Sequence, residues 1–65
     1  AGLINIIRDI IEFGKSRNEI DIQVDSEQSA EFILSSMEGA LALSRLYKEK
    51  RYLDMVIMQI TAMLF

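Results

Sequence analysis

Three acidic residues, Glu27, Glu31 and Glu38, recur at helical spacing in this 65-residue chain and are the first candidates for chemistry. The sequence holds no His and no Cys, so a general base would have to be a carboxylate, a Lys or a Tyr. Set about 100° apart per residue, the three glutamates share one narrow stripe with Arg45 and Glu49. A mixed-sign stripe of this kind reads as a solvated helix face, worth roughly 0.3 kcal/mol per pair, rather than as paired catalytic acids. The carboxylates also lack the glycine-centred loop and dense spacing of a calcium site, and thiolate and imidazole donors are missing. The sequence therefore predicts no catalytic residue, no metal and no cofactor, and an enzyme is the least favoured class.

The basic counterpart is KEKR, residues 48–51. With a net charge of −3, the chain lacks the clustered positive charge that grips a phosphate backbone. KEKR instead suits the end of a helix, where cations oppose the dipole, followed by a polar turn. A membrane-surface helix needs a basic polar face, whereas the polar stripe here is mostly acidic. The longest uncharged stretch, Met55 to Phe65, is too short to cross a bilayer of about 30 Å. No secretory signal pattern is visible, and a chain without Cys fits a reducing cytoplasm. A soluble cytoplasmic protein is expected.

Positioning these residues falls to helices. Pro is absent and 51% of residues are hydrophobic, so the expected class is all-α with three helices, about 3–17, 26–48 and 51–65. In the first, Leu3, Ile4, Ile6, Ile7, Ile10, Ile11 and Phe13 fill one half of the wheel; Gly14 falls on that side and Asn18 marks a stop. Ile20, Ile22 and Val24 then alternate with polar residues, which suggests an extended connector with one side buried. Asp25 and Gln28 have the spacing of a capping box that opens the second helix.

That second helix is apolar or small nearly all round. Ile33, Leu34, Ala40, Leu41 and Tyr47 make one side, Ser35, Gly39, Ala42 and Leu46 another, with Phe32, Met37 and Leu43 between. The third repeats the pattern: Leu53, Val56, Ile57, Ile60, Met63 and Leu64 form one face, and Met55, Met58, Ala62 and Phe65 a second. A helix apolar on two sides is buried on two sides. So short a chain, without disulfide or metal, needs a partner to cover such faces. The economical arrangement is a homodimer in which helices two and three pair and pack on the same pair of a second copy, giving an intersubunit four-helix bundle. Gly39 costs roughly 1 kcal/mol relative to Ala in a helix interior, which a close helix crossing would offset. The predicted dimer interface comprises Ser35, Gly39, Ala42 and Leu46 of the second helix and Leu53, Val56, Ile57, Ile60 and Leu64 of the third. Which face of the third helix meets the twin stays open at this level.

The stretch AEFILSSMEGALALSRLYKEKRYLDMVIMQI resembles the C-terminal region of TetR-family transcriptional repressors, in particular their EGAL-x-L-S/A-R dimerisation helix and the last helix after it. FGKSRNEIDIQVDSEQSAEFI is similar to the family's run into that helix. Glu38, Gly39, Ala40, Leu41, Leu43, Ser44 and Arg45 match the motif. The resemblance implies a homodimer with a four-helix interface, a pocket for a small, often apolar effector, and operator binding by an N-terminal helix-turn-helix. Phe13, Phe32 and Met37 would form part of the pocket wall. Nothing in the chain resembles a helix-turn-helix, and it opens AGLINII without Met, with Ala1 and Gly2 reading as a foreign remnant. Residues 1–65 are thus expected to be a single helical fragment, with the DNA-binding domain absent from this chain and no nucleic-acid contact of its own. The alternative is a stand-alone interaction module that binds an amphipathic partner helix in a groove.

Overall fold

The computed structural model describes residues 2–65, so the expectation for Ala1 lies outside the described residues. Three helices follow in order: α1 (Gly2–Ser16), α2 (Ser26–Tyr47) and α3 (Arg51–Leu64). Among the described residues no strand is present, and each boundary lies within a residue or so of its expected place.

Local chemistry explains where each helix starts and stops. Asp25 sits in an extended conformation and its Oδ1 accepts the Gln28 backbone N–H at 2.9 Å, satisfying one of the free donors at the start of α2. Lys48 ends α2 by turning left-handed (φ 55°), its N–H donating to the Ser44 carbonyl. Asn18, also left-handed at φ 62°, reverses the chain after α1; the Glu19 and Ile20 N–H groups then fold back onto the Gly14 carbonyl.

The connector between α1 and α2 corrects one expectation. It is not an extended segment with one side buried. The Asp21 carboxylate accepts the Gln23 N–H at 2.9 Å and the Asp21 carbonyl accepts that of Val24 at 3.0 Å, so the segment coils into a turn. Ile20 is buried and Val24 half-buried, but Ile22 stands 77% exposed. Alternation in sequence gave no common face because the backbone does not run straight.

Ile11, Ile20 and Ala30 form the core, with Ile4, Ile7, Val24 and Ile33 packed around them. Gly14 makes this closure possible. A Cβ on it would lie 2.7 Å from Ile20 Cδ1, so Ile20 occupies the space that any side chain would need. A polar latch closes the same junction: the Ser26 hydroxyl donates to the Glu12 carboxylate, which also pairs with Lys15 at 3.2 Å. Arg8 reaches Glu27 at 3.8 Å. Together these contacts hold the Glu12 carboxyl below the usual carboxylate value, the Ser26 hydrogen bond first and Lys15 second.

α2 touches both other helices, while α1 and α3 do not touch each other. The molecule measures 39 × 25 × 14 Å. With α2 between the other two helices, the chain encloses only a small core, and many of its large apolar side chains stay exposed.

Candidate functional site

α2 divides lengthwise into stripes with different fates. Ser26, Ala30 and Ala40 are buried, and Ile33, Met37 and Ser44 on the same line are half-buried. This stripe meets the rest of the chain. On a wheel of 100° per residue the line Ser35, Gly39, Ala42 and Leu46 is centred about 170° from it. All four are exposed, Leu46 at 71%. A Cβ on Gly39 would meet nothing within 4 Å. Close packing inside the chain is therefore not what keeps these residues small.

α3 runs antiparallel to α2 beside this line and turns Leu53, Val56, Ile60 and Leu64, all half-buried, toward α2 of the same chain. Ile57 is 50% exposed. The other apolar face is open: Met55 51%, Met58 71% and Phe65 77% exposed, with Ala62 exposed beside them. Of the nine residues expected at a subunit contact, five stand in the open before any partner binds. The remaining four already pack within the chain.

Two shallow grooves cut this face. One of about 280 Å³ is lined by Gln28, Ser29, Phe32 and Met63, the other, of about 220 Å³, by Phe32, Ser36, Met55, Val56, Gln59 and Ile60. Phe32, one of the three expected pocket-wall residues, lines both. Phe13 and Met37 line neither: Phe13 projects from α1 at 62% exposure with Arg17 over its ring, and Met37 sits half-buried on α2. The aromatic Phe32 was legible in the sequence; Gln28 and Gln59 were missed, since nothing in periodicity marks a polar residue as a groove lining.

The polar features fall into place as structure. KEKR crosses the α2–α3 turn, where Arg51 pairs with Glu49 at 2.5 Å and Lys50 with Asp54 at 3.8 Å. Arg51 also stacks over Tyr52, whose ring lies 6.0 Å from that of Tyr47, and the Glu49 contact raises the Arg51 pKa further. Glu49 thus takes Arg51, in place of the expected pairing with Arg45. Among the described residues no cluster of three or more His, Cys, Asp or Glu could hold a metal, and no helix is long and apolar enough to cross a membrane.

Compared with known families, residues 2–60 match the model described as "Tetracyclin repressor-like, C-terminal domain". No curated protein and no solved structure matches the chain.

Proposed function

We propose a function from the premise which that span establishes: the chain belongs to the tetracycline-repressor-like C-terminal domain family, a regulatory and non-enzymatic family of transcription regulators. Within it, this chain serves as the dimerisation and effector-sensing portion of a ligand-responsive, cytoplasmic repressor, and operator DNA is read by a helix-turn-helix domain that these 65 residues do not include.

The observation that carries the dimer is the outward line through Gly39. Three small residues, Ser35, Gly39 and Ala42, and the exposed Leu46 lie on the side of α2 away from the chain's own core, next to the open face of α3. Area supports the same reading. The chain exposes 4940 Å², whereas a self-contained protein of 7.4 kDa exposes about 4200 Å². The surplus of ~700 Å² is close to the ~800 Å² that one partner contributes to a standard interface. The predicted contact uses Ser35, Gly39, Ala42 and Leu46 of α2 and Ile57 of α3, with Leu53, Val56, Ile60 and Leu64 as the layer that holds the two helices together. The effector of this proposal is small and largely apolar, with Phe32 and Met63 in the wall and Gln28 as the polar handle.

Sedimentation equilibrium at micromolar concentration tests the reading. A dimer is expected. A folded monomer that gains helicity when an amphipathic peptide is added would overturn it in favour of a groove-binding module.

A further inference from the structure

Gln59 is out of character with its surroundings. It lines the α2–α3 groove with Phe32, Met55, Val56 and Ile60, and Ser36 is the only other polar residue there. The other uncharged polar side chains of α3 are occupied: the Tyr52 hydroxyl accepts from Arg51 at 3.0 Å, and the Thr61 hydroxyl donates to the Ile57 carbonyl at 2.8 Å. Gln28 stands in the first turn of α2, in the neighbouring groove. Gln59 lies one turn from Met55 and Met63 on the exposed side of α3, beside Phe32 and Ser36 of α2.

Resting on the dimer reading above, we propose that Gln59, backed by Ser36, is the specificity-determining residue of the contact between copies. The second copy strips water from its carboxamide, and only an arrangement that returns polar atoms to it is stable. The chemistry suits a two-fold contact. A carboxamide carries both donors and an acceptor, and so does a hydroxyl. A two-fold axis presents each such set to its own image, so donors can meet acceptors in both directions. An arrangement shifted by one helical turn would instead set the amide against Met or Ile side chains. Leaving it unpaired there costs on the order of tenfold or more in association. A single polar side chain in an apolar seam fixes register in this way while contributing little to affinity.

The test uses the absence of cysteine. One cysteine placed at Glu38, on the exposed polar stripe, carries a nitroxide label, and the distance between labels in the assembled protein is measured. The parent is expected to give one narrow distance. Gln59→Leu is expected to keep its helicity and to associate at least as tightly, with a distance distribution that splits or broadens. A parent dimer whose Gln59→Leu variant keeps the single distance overturns the role of Gln59 and leaves the dimer standing. A monomeric parent overturns both.

Discussion

Replacing Gly39 by Leu separates the two demands that act on this position. Within the chain the site is open, since a Cβ there would meet nothing within 4 Å and the residue is exposed. The fold should therefore accept Leu, and α2 should gain about 0.8 kcal/mol from helix propensity. At a close crossing between copies the same side chain overpacks, costing about 1–3 kcal/mol at each of the two sites in a dimer. The sum, roughly 2–6 kcal/mol, raises the dissociation constant by about 30-fold to about 10⁴-fold. Sedimentation equilibrium reads the association, and circular dichroism on the same samples reads helicity. The expected result is a helical, predominantly monomeric variant. A Gly39→Leu protein that dimerises as tightly as its parent would show that no second copy approaches this line. One that loses its helices as it dissociates would show that the fold itself depends on the second copy.

Three further perturbations test how the three helices are held together. Asp25→Ala removes the acceptor for the Gln28 N–H and should cost about 1 kcal/mol in chemical denaturation. Gly14→Ala pits a helix-propensity gain of about 1 kcal/mol against an overlap with Ile20 costing about 1–3 kcal/mol; a net loss of stability, with an earlier thermal transition, is expected. Glu12 has its folded-state pKa lowered from 4.5 by Ser26 and Lys15, so its share of stability is present above that value and fades as pH falls through the lower folded one. Denaturation series over this acidic range should show that loss in the parent, and Glu12→Gln should flatten it.

Helix ends were legible because they depend on neighbours in sequence: Asp25 three residues before Gln28, and an Asn that tolerates a left-handed backbone at 18. Gly39 was legible as a costly residue inside a good helix, and the structure adds that it is exposed with room for a Cβ. The division of apolar surface was not. Leu53, Val56, Ile57, Ile60 and Leu64 share one face by periodicity, yet four of them pack toward α2 and Ile57 stands half exposed. Period tells which residues share a side and is silent on how far a neighbouring helix reaches across it. Gly14 shows the same limit: its place on the apolar side was readable, but its contact with Ile20 depends on how a seven-residue turn folds back.

On α1, Leu3, Ile6, Ile10 and Phe13 are each more than half exposed and follow a three-four spacing, so they form a second open apolar line. α1 packs on α2 through Ala30 and Ile33, on the side away from Gly39. A two-fold contact covers one self-complementary patch. A substitution on the Gly39 line should therefore change association between copies while the packing of α1 on α2 through Ala30 and Ile33 stays intact, which a denaturation midpoint unchanged at fixed dimer occupancy would show.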